Sequence, residues 1–411
     1  MEKITFCIPS KNNLRYLKTC IPSIRENASR KDHDIIIFVD SDTDGTVEWL
    51  KENQKEFNYQ YYINPKLGID LYGIGKAYDY CIEKSTTDVC MIFHADMMLG
   101  EDADLEAYKH LKSKKVVCAT RIEPPLHPNA GEKILEDFGI WPEDFKREQF
   151  NAYVKKTKES NKGKTTSGIF APWMVYKNEF LAMGGHDPIM KSAREDSDVF
   201  NRMKLDGFEF IQSWESLVYH LTGRGGQFQH GEVTQDEKAK SEEWQRLMHN
   251  STKEFIRKWG TSVKHTPLME PIIAPKYNIA FVVENCNLSL LEVLEPWCDR
   301  IYVDEVFKVV GRAWDYVEVE QSNTGFDLSK RVLMIGQNDP KGENDIVVEF
   351  NAQQLNNQNF SLLMQLPEII AESGEVGEFQ LDIFKVSILA LNRYENNLIT
   401  NSDSYYTNQL I

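Results

Sequence analysis

Four short apolar runs, Ile4–Ile8, Ile35–Val39, Tyr59–Ile63 and Val89–Phe93, alternate with segments whose apolar residues recur at helical spacing. Leu14, Leu17, Ile21 and Ile24 share one helical face after the first run. Val47, Trp49 and Leu50 enter a helix after the second, and Gly73 to Lys84 predicts a third, with Ala77, Tyr80 and Cys81 facing inward. Strands separated by whole helices cannot pair as hairpins; such crossovers join parallel strands with a right-handed turn. The amino-terminal stretch therefore predicts a nucleotide-type α/β sheet. In such open sheets ligands sit beyond the carboxyl ends of the strands, so the residues just after each run are where chemistry is expected.

The 411 residues suggest two or three domains. A strand Ile169–Tyr176, a helix from Asn178, an acidic helix start near Glu195, a strand Phe208–Val218 and a charged helix over 234–259 extend the first domain to about residue 265. Pro267, Pro271 and Pro275 mark 266–276 as a linker. Residues 277–411 predict a smaller α/β domain, with strands at Ile279–Val283, Ile301–Val303, Val332–Ile335 and Ile346–Phe350 and a helix Phe360–Ile370; its expected role is acceptor binding or homo-oligomerisation. No internal repeat is apparent. The net charge of −16, from 47 basic and 63 acidic residues, argues against sequence-independent nucleic-acid binding. Seven scattered cysteines without a Cys-x-x-Cys read as buried thiols of a reducing compartment. No apolar run reaches membrane-span length, and a first strand starting at Ile4 leaves no room for a secretory signal. Together these predict a cytoplasmic protein.

The strand ends carry four polar constellations. Pro9-Ser10-Lys11-Asn12 follows the first run and Asp40-Ser41-Asp42-Thr43-Asp44-Gly45-Thr46 the second. His94-Ala95-Asp96 follows the fourth. Farther on lie Gly184-Gly185-His186-Asp187, Glu195-Asp196 and His220. A histidine and a carboxylate two residues apart past a strand can share one divalent cation; the bland alternative is a helix cap. Glu195-Asp196 equally suits the first turn of a helix.

In this order the set resembles glycosyltransferase family 2 with the GT-A fold, over roughly residues 1–265. The resemblance implies a mostly parallel sheet flanked by helices and a nucleoside-diphosphate sugar, UDP- or GDP-linked, as donor. It places Pro9, Ser10 and Asn12 in the nucleotide pocket and Asp40 on the base as hydrogen-bond acceptor. Gly73 and Lys76 fall in the family's glycine-containing segment, with Lys76 near the diphosphate. His94-Ala95-Asp96 stands where the family has Asp-x-Asp, so that Asp96 is the expected metal ligand and Ala95 lies at the donor. His94, a departure from the pattern, contacts metal or ribose and favours Mn²⁺ over Mg²⁺. His220 is the further metal ligand. Asp196 is the expected general base of an inverting transfer, with Glu195 orienting it or the acceptor. Arg224, in the glycine-rich stretch Gly223–Gly226, would clamp phosphate. Trp173 and His186 fall near the acceptor side. The acceptor classes compatible with the resemblance are a glycan, a protein, a small molecule and, less in keeping with the acidity, a modified nucleobase.

Two other functions fit parts of the pattern. A nucleotidyltransferase shares sheet and metal chemistry, but Pro9–Asn13 lacks the glycines of a phosphate loop. A non-catalytic nucleotide- or carbohydrate-binding protein would explain His94, but not Asp96 together with Glu195-Asp196.

Overall fold

Three of the apolar runs become strands buried on both faces, as parallel strands flanked by helices must be, while the run ending at Ile63 becomes a half-exposed edge strand. The computed structural model describes residues 1–223, 235–304, 312–336 and 338–394. These divide into two compact units, one holding residues 1–247 and 265–272, the other 248–264 and the chain from 273 onward. Residues 265–272, expected in the linker, thus pack with the first unit, and the division runs through a helix.

The first unit contains β1 (Thr5–Lys11), α1 (Leu14–Asn27), β2 (Asp34–Ser41), α2 (Thr46–Phe57), β3 (Gln60–Ile63), α3 (Ile74–Lys84), β4 (Val89–Ile92) and β5 (Met97–Leu99). It continues through α4 (Ala103–Tyr108), β6 (Lys115–Glu123), β7 (Ile134–Leu135), α5 (Arg147–Ser160), β8 (Thr165–Thr166), β9 (Trp173–Tyr176), α6 (Lys177–Ala182), α7 (Glu195–Leu205) and β10 (Glu209–His220) into α8 (Gln235–Trp259), whose residues from 248 belong to the second unit. The sheet runs β3-β2-β1-β4-β9-β6-β10-β5. Strands β1 to β4 are mutually parallel, β9 is antiparallel to both its neighbours, and β5 is antiparallel to β10. The chain order reverses across β1, so a crevice opens past the ends of β1 and β4.

Two elements differ from the sequence reading. Residues 169–172 do not join β9, because Pro172 has no N–H to give a ladder. On α3 the inward face is Ala77, Tyr78, Cys81 and Ile82, with Tyr80 only half-buried, so the helix is rotated from its expected setting.

The second unit contains β11 (Ile279–Glu284), α9 (Leu288–Leu294), β12 (Arg300–Val303), α10 (Arg312–Glu320), β13 (Val332–Met334), α11 (Pro340–Glu343), β14 (Ile346–Asn351), α12 (Asn357–Met364), α13 (Leu366–Ser373), β15 (Gly377–Leu381) and β16 (Phe384–Ile388). The helix expected over 360–370 is two, meeting at Gln365, with Pro367 in the first turn of α13. The sheet order is β13-β12-β11-β14-β16-β15, four parallel strands followed by antiparallel ones.

That order repeats β3-β2-β1-β4-β9 of the first unit. Phe6 pairs with Met91, two residues before Phe93; Phe281 pairs with Val348, two before Phe350. Phe93-His94-Ala95-Asp96 and Phe350-Asn351-Ala352-Gln353 therefore leave equivalent strands in the same register. The second strands differ: Phe6 faces Ile35, five residues before Asp40, and Phe281 faces Ile301, three before Asp304. The two sheets thus share a strand order, a likeness of topology that no repeat in the sequence accompanies.

The second unit is tied by a buried ionic cluster. The Arg257 guanidinium donates to Glu295 Oε2 at 2.7 and 2.9 Å and to Glu320 Oε1 at 2.7 Å, and Arg331 donates to Glu295 Oε1 at 2.6 Å. Burial alone would raise the Glu295 carboxyl, but the two guanidinium groups hold it at about 2. Removing Arg257 takes from the buried Glu295 one of its two guanidinium partners and leaves Arg331 as the other. Arg257→Met is expected to cost about 3–5 kcal/mol, read as a lower urea midpoint at unchanged slope.

All seven cysteines are buried thiols outside any disulfide. Among the described residues no helix is long and apolar enough to cross a membrane.

Candidate active site

The ends of β1, β2 and β4 and the start of α7 enclose a cavity of about 240 Å³. Pro9 and Ser10 line it from β1, Asp40 from β2, Ile92 and His94 from β4 and the turn after it, and Glu195 and Asp196 from α7. Tyr78, Trp173 and His186 form part of its buried wall, and Lys11 and Lys191 line its more exposed part.

Beside the cavity lies the metal-ligand set. His94, Asp96 and His220 each offer a ligand atom within 4.8 Å of the others, and among the described residues no other such group occurs. Strand pairing explains how residue 220 meets residue 96. Antiparallel β5 and β10 set His220 opposite Met97, and the Leu221 N–H donates to the Asp96 carbonyl at 3.0 Å. His220 Nε2 stands 3.7 Å and His94 Nδ1 4.0 Å from Asp96 Oδ1. The other nitrogen of His220 is engaged by Glu123, with Nδ1 and Oε1 2.8 Å apart. Glu123 also accepts from Arg121 at 3.0 Å and Lys133 at 2.8 Å. Burial would raise the Glu123 carboxyl, but His220, Arg121 and Lys133 bring it down to about 2. Burial, helped by His220 and Arg121, holds His94 down at about 3, so its ring is neutral and has a lone pair to donate at neutral pH. Burial raises Asp96 against the opposing effect of His220.

Two imidazoles, a carboxylate, and an outer carboxylate fixing one imidazole form a donor set that fits a divalent cation. Glu123→Gln is expected to weaken Mn²⁺ binding by about 10–100-fold, measured by titration of the full chain. The equivalent strand end of the second unit offers Asn351 and Gln353 instead. Asn351 Oδ1 there accepts from the Gln353 N–H at 2.9 Å, as a helix cap.

Across the cavity, α7 begins abruptly. Ala193 and Arg194 take φ of 72° and 68°, in the left-handed region that non-glycine residues seldom occupy. The turn brings both carboxylates of the Glu195-Asp196 pair to the cavity. Asp196 Oδ1 accepts from the Ser197 N–H at 2.6 Å. Glu195 Oε2 is buried without a partner. Burial, then the charge of Asp196, pushes the Glu195 carboxyl up to about 8. The folded state thus keeps a proton that the unfolded chain loses near 4.5, and folding loses stability as pH rises through 8. Glu195→Gln removes that dependence; its thermal midpoint is expected to gain on wild type between about pH 6 and pH 9.

Other predicted site residues form scaffolding around the cavity. Asp40 lines it, and its carboxylate also accepts from Asn64 Nδ2 at 2.9 Å, the Tyr72 N–H at 2.7 Å and the Gly73 N–H at 3.0 Å, pinning the loop before α3. Gly73, with φ of 93°, lies so close to Lys191 that a Cβ would sit 3.0 Å from its backbone. Asn12, Gly73, Lys76 and Ala95 are not among the lining residues. Asn12 accepts from the Thr43 N–H at 2.8 Å, while Asn13 lines the cavity. Lys76 donates to Asp79 Oδ2 at 2.9 Å. Ala95 is buried between the two ligand residues. Asp42 and Asp44 cap the turn into α2, Asp42 through the Thr46 and Val47 N–H groups and Asp44 through Thr46. Arg224 lies outside the described residues.

Sequence reasoning missed Tyr78 and Asp79. Asp79 Oδ1 stands 2.6 Å from His186 Nδ1, and Asp79 Oδ2 accepts from the His186 N–H at 2.9 Å. Gly185 makes this approach possible, since a Cβ there would fall 2.5 Å from Asp79 Oδ2. An acidic residue flanked by apolar ones inside a helix pattern was the available signal.

Residues 5–180 match the family described as glycosyl transferase family 2. No curated protein matches the chain. Among solved structures, TarS of S. aureus is similar at 10% identity and a TM-score of 0.39, over 62% of this chain and 44% of that one. GalNAc-T7 with UDP, GalNAc and Mn²⁺ is similar at 12% identity and a TM-score of 0.41, over 62% and 50%. The chain thus spans about half the length of these structures.

Proposed function

We propose, from the match of residues 5–180 to glycosyl transferase family 2, that the chain is a metal-dependent, inverting glycosyltransferase, moving a sugar from a nucleoside-diphosphate donor to an acceptor hydroxyl. One observation carries the reading: His94, one member of a fitting metal-ligand set whose Asp96 and His220 lie just behind the lining, and the carboxylates of Glu195 and Asp196 line one cavity at the strand-order reversal. Pro9, Ser10 and Asp40 receive the nucleoside, Asp40 with acceptor capacity left for a base N–H. His94, Asp96 and His220 would hold Mn²⁺ or Mg²⁺, the imidazoles favouring Mn²⁺. Bound there, the ion supplies Lewis-acid stabilisation to the negative charge of the departing diphosphate. Asp196 takes the proton of the acceptor hydroxyl as that oxygen attacks. The new C–O bond forms on the face opposite the breaking bond to the diphosphate oxygen, so the anomeric configuration inverts. Glu195, protonated near neutrality, positions hydroxyl groups without adding a second negative charge.

The test is release of UDP or GDP from a panel of nucleotide sugars by the full chain with Mn²⁺. Turnover with at least one donor, suppressed by EDTA, is expected. Absence of turnover from every donor, with no donor raising the thermal midpoint, would overturn the reading.

A further inference from the structure

Three side chains lining the cavity each bury a polar atom that meets no partner: the Ser10 hydroxyl, the Tyr78 hydroxyl and Glu195 Oε2. Buried orphans are uncommon because each forfeits its bonds to water. The other buried orphans among the described residues lie away from this cavity. Three such groups among the lining of one cavity point to a ligand that satisfies them.

Their chemistry narrows that ligand. A serine hydroxyl, a phenol and a protonated carboxyl can each donate and accept, which matches a neutral molecule bearing hydroxyl groups. A diphosphate would be repelled by Glu195-Asp196. The lining cations stand elsewhere, Lys191 donating to Asp70 at 2.9 Å and Lys11 lying 4.0 Å from Glu243, both partly exposed. The Tyr78 ring is also held in place. It stacks at 6.3 Å from the His94 ring and 6.0 Å from His186, and His186 is itself locked by Asp79. The Tyr78 ring thus lies between the His94 and His186 rings and lines the same cavity as the carboxylate pair, within which the sugar of a donor would reach from its diphosphate toward the acceptor.

We infer that Tyr78 is a specificity-determining residue whose hydroxyl, together with Glu195 Oε2, hydrogen-bonds a hydroxyl group of the transferred sugar. The inference rests on the glycosyltransferase reading and deepens it by naming the groups that read the sugar.

Tyr78→Phe keeps the stacked ring and removes only the hydroxyl. The experiment compares kcat/KM of the full chain, with Mn²⁺, for UDP- and GDP-sugars that differ at one sugar hydroxyl, alongside the affinity for UDP and GDP alone. For the preferred donor, kcat/KM should fall about tenfold or more, and its advantage over the epimeric donor should narrow. Affinity for the nucleotide without sugar should be unchanged. Glu195→Gln should narrow the same ratio. An unchanged donor ratio in Tyr78→Phe overturns the inference, as does an equal loss of affinity for the bare nucleotide. Where wild type neither binds nor turns over any nucleotide sugar, the glycosyltransferase reading falls first; where it does and the ratio stays fixed, the inference alone fails.

Discussion

Asp96→Ala should abolish Mn²⁺-dependent release of nucleotide from the donor, a loss on the order of a thousandfold, because Lewis-acid stabilisation of a leaving diphosphate is worth several kcal/mol. Asp96 is the one carboxylate of the candidate ligand set, with His220 at 3.7 Å and His94 at 4.0 Å. Without it two imidazoles remain, too weak a set for a hard cation that prefers oxygen donors. The fold should survive. Burial raises the Asp96 carboxyl, so its charge is poorly accommodated without a cation, and alanine relieves that conflict. The check is a Mn²⁺ titration beside a thermal melt: affinity lost, midpoint equal to or above wild type. Retained Mn²⁺-dependent turnover would mean the ion is held by other groups.

Asp196→Asn should lower kcat by about 10²–10⁴ while leaving donor affinity near wild type, since it removes a proton acceptor and keeps the shape. The neighbouring residue provides the contrast. Glu195, pushed up to about 8, carries a proton at neutral pH and cannot serve as base there. Glu195→Gln should therefore cost far less in kcat at pH 7 than Asp196→Asn. The reverse order of effects would move the base to Glu195 and predict an alkaline rise in rate.

Much of the first unit was legible because its information is local. Alternating apolar runs and helical faces predict parallel strands joined by helical crossovers, and polar residues after each run mark where the crevice of such a sheet opens. His94 and Asp96 were readable for the same reason, being two residues apart at one strand end. His220 depends on the antiparallel pairing of β5 with β10, which no local pattern encodes; its selection came from family likeness. Asp40 and Gly73 show the other side. Both lie at the expected place, yet the carboxylate also holds the loop before α3, a tertiary role invisible in a short motif. Tyr78 was missed because the helical phase of α3 was set on Tyr80, one aromatic turned out for one turned in. The strand order shared by the two units was not legible, because sheet order is a tertiary property and the strand ends differ, with His94 and Asp96 in the first unit against Asn351 and Gln353 in the second. Asn351 and Gln353 offer neither imidazole nor carboxylate, so that one metal site per chain is expected.

Anomalous diffraction at the manganese edge, from crystals of the full chain grown with Mn²⁺ and UDP, tests the central claim most directly. The account predicts a single ion bound by Asp96 and His220, with UDP in the cavity that Glu195 and Asp196 border. An ion bound elsewhere with UDP beside it, or UDP seated away from that cavity, would contradict it.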